Sequence, residues 1–396
     1  MTDMTVRERY HAVMRSEPGV RTLLWEFGYW TEAIDQWYRQ GLRRGPYAPP
    51  PGILMPGQMV HGDAFPYPYR LLNVNYRDFD VHQAVGLDPG VIGVPLNWRH
   101  SPPFVEVLLG EEETTRMLIN KEGITIRERK ARDSIPQHLD WPVCDRATWE
   151  KVKEERFGLN VTARFPNGWE ALSGTYRDLD SPVGIVMDGF FSMPRELMGL
   201  VRQLTMYHDD PKLMHDINER LVTVWLAVLE ELVSKVKLDF VYCWEDMSFK
   251  NGPLLSPRMF NEFQVPYYSR VTGFLRAHGV DIVFVDTDGD CRQLIPGFLK
   301  AGVRGLYPFE VQAGMDIVEI RKQYPELLIQ GGLDKNKVAE GKEAIDLELE
   351  SKLPFMLSHG GYIPYCDHLV PPTVSWANFQ YYREKVRQYI ERYQVG

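Results

Sequence analysis

From about residue 180 onward, short runs of β-branched and aromatic residues alternate with long amphipathic segments. Six runs are predicted as strands: residues 184–188, 240–245, 282–286, 305–309, 328–331 and 361–365. Each is followed by a segment long enough for a helix. In residues 211–235, which begin with a proline after Asp210, apolar residues such as Leu221, Val224 and Val228 recur at helical spacing. Strands that alternate with helices are typical of βα units, so we predict an α/β fold with a parallel sheet.

The first half of the chain is less regular, but it supplies the two further strands that a barrel needs. Residues 22–27 are predicted as a first strand, after a helix over residues 6–15, and another strand is expected within residues 82–97. With the six runs above, this makes eight strands. The pattern therefore predicts a (β/α)8 TIM barrel that forms a single domain over residues 1–396.

Two elaborations are predicted before the regular part of the chain. Residues 45–69, rich in Pro and Tyr, are predicted to form a long ordered loop or lid, because loops of that length usually cover or serve a site. Residues 104–109, 115–119 and 124–129 are predicted to form an antiparallel meander with a turn at residues 120–123. We interpret the two together as an N-terminal elaboration that covers one end of the barrel.

The charge and cysteine patterns argue against several classes of protein. The chain of 396 residues has a formal net charge of -9, and its Lys and Arg residues are scattered among acids, which argues against a nucleic-acid partner. No window approaches the ~20 apolar residues of a membrane span, and the N-terminus lacks the apolar core of a signal peptide. We therefore expect a cytoplasmic protein without membrane association, whose four widely spaced cysteines are free thiols.

Ionisable residues end four of the predicted strands. In a (β/α)8 barrel the reacting groups project from the carboxyl ends of the strands, so these residues are the candidates for chemistry. They are Glu245 and Asp246, Asp286 and Asp288, Asp334 and Lys335, and the group Cys366, Asp367 and His368.

Converging carboxylates, a thiol and an imidazole can hold a divalent metal, serve as general acid and base, or anchor a cationic substrate. As a tentative metal set, Glu245, Asp288, Cys366 and His368 suit zinc, whose ligands are N, S and O donors. The structural alternative is that an acid at a strand end caps the next helix. Asp286 and Asp288 favour function, because two carboxylates on one side of an extended chain repel each other unless something binds between them.

Aromatic residues near the predicted strands are candidates for the wall of an apolar substrate pocket, with ordinary core packing as the alternative. These residues are Trp25, Trp30, Tyr242 and Tyr365. No glycine-rich phosphate-binding loop of either common type is present, so the sequence carries no cofactor motif of its own.

Several segments, in order, resemble the uroporphyrinogen decarboxylase superfamily. They are GFFSMPRELMGL, YHDDPKLMHDI, EDMSFKNGPLLSPRMFNEFQVPYYSRV, GGLDK and GGYIPYCDHLVPPTVSWANFQYY, and the opening TVRERYHAVM is similar to the first helix of that superfamily. The resemblance implies a (β/α)8 barrel. It also implies one of two chemistries, the cofactor-free decarboxylation of a tetrapyrrole or zinc-dependent methyl transfer linked to a corrinoid protein, because fold does not settle function.

This chain departs from both branches of the superfamily. The decarboxylase carries an arginine-rich N-terminal motif, whereas residues 21–30 read RTLLWEFGYW, which argues against a polyanionic tetrapyrrole. The thiol methyltransferases of the family place His-x-Cys at the end of the sixth strand and a further Cys near the last. Here the former positions correspond to Asp286 and Asp288, and the latter falls near Cys366 to His368. This departure weakens a coenzyme M type reaction and remains compatible with an ether, methoxy-aromatic or amine donor.

The resemblance and the strand ends together predict a methyltransferase component that moves a methyl group from a small methylated donor to a corrinoid protein. Its predicted catalytic residues are Asp286, Asp288, Glu245 and His368. The corrinoid would come with the partner protein, zinc is a candidate cofactor, and a homodimer is one assembly compatible with the sequence. Two alternatives stay open at this point: a cofactor-free decarboxylase or lyase, and a catalytically inactive barrel that binds a small ligand.

Overall fold

The computed structural model describes residues 4–45, 76–130 and 136–393. The predicted lid over residues 45–69 therefore lies outside the described residues, except for Gly45. The described helices are α1 (Val6–Met14), α2 (Thr31–Arg39), α3 (Tyr76–Val85), α4 (Arg146–Arg156), α5 (Trp169–Gly174), α6 (Ser192–Met198), α7 (Leu200–Asp209), α8 (Pro211–Val233), α9 (Pro257–Phe263), α10 (Val265–Ala277), α11 (Ile295–Lys300), α12 (Ile317–Gln323), α13 (Lys335–Glu340), α14 (Lys342–His359) and α15 (Trp376–Arg392).

The described strands are β1 (Ile92–Gly93), β2 (Val107–Glu111), β3 (Thr115–Ile119), β4 (Thr125–Arg129), β5 (Gln137–Asp140), β6 (Val183–Asp188), β7 (Phe240–Trp244), β8 (Ser248–Phe249), β9 (Gly252–Pro253), β10 (Val283–Asp286), β11 (Gly305–Tyr307), β12 (Leu328–Gln330) and β13 (Tyr362–Ile363). Seven of these described strands form a parallel sheet at the centre of the protein, in the order β1-β6-β7-β10-β11-β12-β13. The six predicted runs and the strand expected within residues 82–97 are confirmed as β1, β6, β7 and β10–β13, and the α/β fold with a parallel sheet is confirmed with them.

The predicted strand over residues 22–27 is an extended segment without a strand ladder. Its hydrogen bonds include one to a side chain and one to a strand end. The Leu24 amide donates to the Asp88 carboxylate at 2.8 Å, and the Thr22 hydroxyl donates to the Tyr362 carbonyl at 2.6 Å. The residues still alternate as in a strand, because Leu23 packs inside the sheet and Leu24 packs outside it.

The sheet curls around its own hydrophobic core, which is separate from the core under the outer helices. The inner cluster takes alternate strand residues, Phe240, Tyr242, Ile282, Phe284, Tyr307, Leu328 and Ile363. The outer cluster takes the residues between them, such as Val241, Cys243 and Val285. Side chains on a strand point to opposite faces in turn, so the side of the sheet on which a residue lies follows from its position.

Helix α1 closes the amino end of the curled sheet. Tyr10, Val13 and Met14 enter the inner cluster, and the ring of Tyr10 stacks on that of Trp25 with the centroids 5.7 Å apart. The His11 imidazole lies 2.6 Å from the carboxylate of Asp239, which directly precedes β7. The opposite, carboxyl edge of the sheet is therefore the one left for a site.

The predicted meander is confirmed and gains a fourth strand, in the antiparallel order β2-β3-β4-β5. Its own small core consists of Leu118, Ile124 and Ile126, with Trp141 packed against them. The turn between β3 and β4 carries Glu122, which lies 3.9 Å from the Arg99 guanidinium. Arg99 in turn pairs with Asp188, the last residue of β6, so this turn lies near the carboxyl edge of the parallel sheet.

Local signals in the sequence explain the best-defined outer helix. Helix α8 begins after Asp210, whose side chain accepts the Leu213 amide at 3.0 Å, and Pro211 occupies the first turn. The predicted apolar residues Leu221, Val224 and Val228 are buried on one face of this helix. The four cysteines are free thiols, as predicted. None of the described helices combines the length and the apolar character of a membrane span.

Candidate active site

Three aspartates lie together at the carboxyl edge of the parallel sheet, and we call them the carboxylate cluster: Asp246, Asp286 and Asp288. Asp246 follows β7, and the other two lie at the end of β10. Burial, followed by the negative charges of Asp246 and Asp288, raises the pKa of Asp286 well above its ordinary value. The sequence predicted that the carboxylates of Asp286 and Asp288 lie on one side of the chain and repel each other, and this arrangement agrees with that prediction.

Asp288 and His368 face each other at this edge. The His368 Nε2 atom lies 3.5 Å from a carboxylate oxygen of Asp288, and the two side chains are 31% and 37% exposed, so a small molecule can reach both. Burial, then the carboxylates of Asp246 and Glu310, raises the pKa of Asp288 to about 7. Burial, then the Lys335 charge, lowers the pKa of His368. Near neutral pH this pair can therefore hold and release a proton.

The loop that carries Asp288 is fixed by a glycine. Gly289 has φ +73°, and a Cβ atom placed there would lie 2.5 Å from the Ser248 carbonyl oxygen. Its amide donates to the Glu310 carboxylate at 3.0 Å. Only glycine meets both the dihedral angle and the close backbone approach, so the position of Asp288 depends on this residue.

The loop that carries His368 is held by its neighbour Asp367. The Asp367 side chain is fully buried, and its carboxylate accepts the Lys335 ammonium at 3.0 Å and the Val311 amide at 2.9 Å. The His368 ring also packs against Phe27, with the centroids 5.2 Å apart. Asp367 is therefore engaged in structure, and it leaves His368 as the group of this loop that faces Asp288.

Among the described residues, three cations lie along the same edge, and each contacts an acidic residue. Arg99 donates to Asp188 at 2.6 Å, and Lys335 contacts Asp367. The Arg195 guanidinium donates to the Asp246 carbonyl at 2.8 Å and lies over the Trp244 ring, 4.8 Å from its centroid. A bound anion would have to compete with these acids for each cation.

Glu245, predicted as catalytic and as a metal ligand, does not face this edge. It lies on the outer side of β7, fully buried, and its carboxylate accepts the amides of Phe191 at 2.9 Å and Ser192 at 2.8 Å and the hydroxyl of Tyr268. Burial raises the pKa of Glu245 to about 7. Because side chains alternate along the strand, Glu245 shares the outward face of Cys243, and it anchors the start of α6 instead of joining the site.

The predicted zinc ligands do not converge. Cys366 is fully buried in the outer cluster, on the side away from the carboxylate cluster, so only Asp288 and His368 of the four predicted ligands approach each other. Across residues 4–45, 76–130 and 136–393, no group of three or more His, Cys, Asp and Glu side chains has an arrangement that could hold a metal ion. The predicted donor set therefore does not fit zinc.

The predicted aromatic wall is only partly at the site. Trp25 lies deep against Tyr10, with its indole N–H bonded to the Pro89 carbonyl at 2.9 Å, and Trp30 packs on the outer cluster at the start of α2. Tyr242 and Tyr365 lie inside the sheet, where both hydroxyls contact the Gln330 side chain.

A different set of rings begins at Phe27, which packs against the His368 ring. The ring of Phe27 is 6.0 Å from that of Tyr365 and 6.2 Å from that of Tyr307. We call Phe27, Tyr307 and Tyr365 the aromatic floor. Of these three, only Tyr365 was predicted from the sequence. Phe27 and Tyr307 share with it the inward alternation of the strands, which is the signal that would have found them.

Backbone strain also marks the carboxyl edge. Asp246 and Phe309 are non-glycine residues with φ +47° and +62°, and they follow β7 and β11. Such conformations persist only where the surrounding structure enforces them, and they concentrate at functional sites. The sequence prediction assigned a catalytic role to Glu245 and none to Asp246. The structure instead places Asp246 at the site.

Comparisons with known proteins place this architecture in a family. The family described as Uroporphyrinogen decarboxylase (URO-D) matches residues 122–389. That match covers more than half of the chain, so the protein belongs to the uroporphyrinogen decarboxylase family, as the resemblance predicted.

Solved structures give a likeness of fold. A methyltransferase from Methanosarcina mazei matches with a TM-score of 0.52 at 11% sequence identity, covering 97% of this chain and 100% of that chain. A Listeria monocytogenes protein described as a vitamin-B12-independent methionine synthase matches with a TM-score of 0.33 at 12% identity, covering 55% of this chain and 65% of that chain. No curated protein matches the sequence. At these identities the Methanosarcina structure shows a shared fold.

Proposed function

We propose that this protein is a methyltransferase component that moves a methyl group from a small methylated donor to a corrinoid carried by a partner protein. The donor would be an ether, a methoxy-aromatic compound or an amine. The observation that carries the proposal is the Asp288–His368 pair, whose carboxyl has a pKa of about 7 and whose imidazole packs on Phe27 of the aromatic floor. Membership of the URO-D family and the fold shared with the Methanosarcina methyltransferase support it.

The proposal includes a closed (β/α)8 barrel. Residues 22–27 would take the place of the eighth strand, because their side chains alternate between the inner and outer clusters. The carboxyl edge would then be the mouth of the barrel, where enzymes of this architecture place their reacting groups. A partner that carries a large cofactor would approach the site from this side.

The residues of this chain would act on the leaving group. The corrinoid of the partner supplies the nucleophile that accepts the methyl group. When the carbon–oxygen bond of an ether or the carbon–nitrogen bond of a neutral amine breaks, its electron pair stays on the leaving atom, which then needs a proton. Asp288 would donate that proton and His368 would help to replace it. A placed general acid contributes typically about 10²-fold to 10⁴-fold in rate.

The charges of the site favour this function over decarboxylation of an anionic substrate. Arg99, Arg195 and Lys335 are each engaged with an acid, and the carboxylate cluster adds negative charge at the same edge. A neutral or cationic donor fits such a site better than a carboxylate, which like charges would repel. The aromatic floor would contact the apolar part of the donor.

Methyl transfer to a reduced corrinoid protein tests the proposal directly. The purified chain is mixed with a corrinoid protein in the Co(I) state and with ether, methoxy-aromatic or amine donors, and methylation of cobalt is followed by absorbance. We expect methylation that depends on this chain and falls by about 10²-fold to 10⁴-fold in Asp288→Asn. Release of CO2 from an acid substrate without any corrinoid would favour the decarboxylase instead. Ligand binding without turnover would favour an inactive barrel.

A further inference from the structure

A fully buried ion pair joins the extended segment near the N-terminus to the last helix. Glu26 lies next to Phe27 of the aromatic floor, and Arg383 lies on α15. Both side chains are 0% exposed, and the guanidinium contacts the carboxylate at 3.0 Å. A second guanidinium nitrogen donates to the Trp25 carbonyl at 2.8 Å. The pair thus fixes this segment against α15.

The Glu26 carboxylate also binds the chain just before His368 and the residue on which the His368 ring packs. Its other oxygen accepts the backbone amide of Cys366 at 2.9 Å and that of Phe27 at 3.1 Å. Cys366 is two residues before His368 in the chain, and the Phe27 ring packs on the His368 ring at 5.2 Å. Glu26 therefore holds the backbone that leads to His368 and also the ring against which His368 rests.

The chain beyond His368 is tied to the same segment. The Val370 amide donates to the Gly28 carbonyl at 2.9 Å, and the Trp30 amide donates to the Val370 carbonyl at 3.1 Å. Gly28 has φ +146°, and a Cβ atom there would lie 2.7 Å from the Leu369 side chain. His368 therefore lies between Cys366 and Val370, two residues whose backbones are hydrogen-bonded to residues 26–30.

Stability alone does not account for the choice of an ion pair at this place. Moving two charges out of water is costly, and apolar residues of similar volume often stabilise a protein as well or better. The Arg383 Nε atom also has no hydrogen-bond partner among the described residues. A charged pair supplies hydrogen bonds of defined direction, which an apolar pair would not. The Glu26 carboxylate accepts two specific backbone amides and so fixes where they lie.

We propose that Glu26 and Arg383 are positioning residues that hold His368 at its distance from Asp288. They act through the Cys366 amide and the Phe27 ring and do not touch the substrate. The catalytic importance of His368 rests on the function proposed above, whereas the position of its ring does not.

The experiment measures the position of the His368 ring in the full chain by NMR, with labelled histidine and phenylalanine. Wild type is compared with Arg383→Met, Glu26→Gln and the conservative Arg383→Lys, and His368→Gln assigns the signal. Arg7→Met serves as the control, because it breaks a partly buried ion pair, Arg7 with Asp239 at 2.9 Å, at the opposite end of the sheet.

We expect Arg383→Met and Glu26→Gln to lose the nuclear Overhauser contact between the rings of Phe27 and His368 and to shift the His368 signal. Arg383→Lys should recover part of that contact, and Arg7→Met should leave it unchanged at a comparable loss of melting temperature. An unchanged His368 signal in folded Arg383→Met would overturn the proposal. An equal change in Arg7→Met, or failure of both Arg383→Met and Glu26→Gln to fold, would also overturn it, since the pair would then serve the fold as a whole.

The same samples separate this inference from the proposed function. If the contact between Phe27 and His368 is lost as expected while wild type transfers no methyl group from any donor, the positioning role stands and the proposed function fails. If wild type is active, we expect methyl transfer by Arg383→Met to fall and transfer by Arg7→Met to persist.

Discussion

The imidazole of His368 lies 3.5 Å from the carboxylate of Asp288, although the two residues follow different strands, β13 and β10. Parallel strands bring their carboxyl ends to one edge, so the loops after β10 and β13 meet there. The pKa of Asp288 is raised to about 7 and that of His368 is lowered, both mainly by burial. An acid whose pKa lies near neutrality suits general acid catalysis, and this property can be tested apart from activity.

We expect the stability of Asp288→Asn, relative to that of wild type, to increase as pH rises. The pKa of Asp288 is about 7 in the folded protein, against an ordinary value of 3.8. Between these values the folded protein binds a proton that the unfolded chain releases, so wild-type stability falls across this window and levels off above about pH 7. The melting temperature of Asp288→Asn should therefore exceed that of wild type by more at about pH 8 than at about pH 4.

Asp290→Asn is the matched control for this pH dependence. The Arg292 side chain lowers the pKa of Asp290, so the trend should have the opposite sign. Stability from this group is present above its ordinary pKa and is lost as pH falls. A melting-temperature difference for Asp288→Asn that does not change with pH would show that its carboxyl has an ordinary pKa.

Much of the fold was predictable because periodicity is local information. The parallel strands follow from short apolar runs separated by helix-length segments, and α8 follows from its Asp210 cap and apolar stripe. The segment over residues 22–27 was predicted incorrectly as a strand, because its alternation is visible in sequence but the absence of a backbone ladder is not. Its partners are Asp88 and Tyr362, which are remote in the chain.

The site was predictable where the spacing of residues along a strand alone determines which face they share. Asp286 and Asp288 are two apart, so they share a face of the strand, and the structure places both at the carboxyl edge. The choice between Glu245 and Asp246 required counting the alternation from Tyr242, which assigns Glu245 to the outer face. The Glu26–Arg383 pair joins residues from the two ends of the chain, and no local pattern reveals such a contact.

We expect Glu245→Ala to lose stability and to keep activity per folded molecule. The carboxylate satisfies the amides of Phe191 and Ser192 and the hydroxyl of Tyr268 in a fully buried place. Leaving such groups unpaired costs about 1–3 kcal/mol each, so the free energy of unfolding should fall by at least about 2 kcal/mol in chemical denaturation. Asp288→Asn provides the contrast, with activity lost and the fold retained. Loss of activity in Glu245→Ala at full stability would return this residue to the catalytic set.

We expect removal of metal to leave methyl transfer unchanged. Glu245 and Cys366 both point away from the carboxylate cluster, so the predicted zinc ligands do not meet. Elemental analysis of the purified protein should therefore give well under one zinc per chain, and treatment with a chelator should not alter the rate. One zinc per chain that is lost in Asp288→Ala would contradict this expectation and show that the loops rearrange around a metal.

We expect Gly289→Ala to damage the site beyond its cost in stability. The substitution imposes a strained φ and brings a Cβ atom to within 2.5 Å of the Ser248 carbonyl, so the free energy of unfolding should fall by about 2–5 kcal/mol. Gly279→Ala is the matched control. Its φ is +80° and nothing lies within 4 Å of the added atom, so it should cost only the backbone strain of about 1–3 kcal/mol. Methyl transfer at a temperature where both variants are folded should fall for Gly289→Ala alone, because Asp288 directly precedes the displaced backbone. Equal activity in the two variants would show that the position of Asp288 does not limit the reaction.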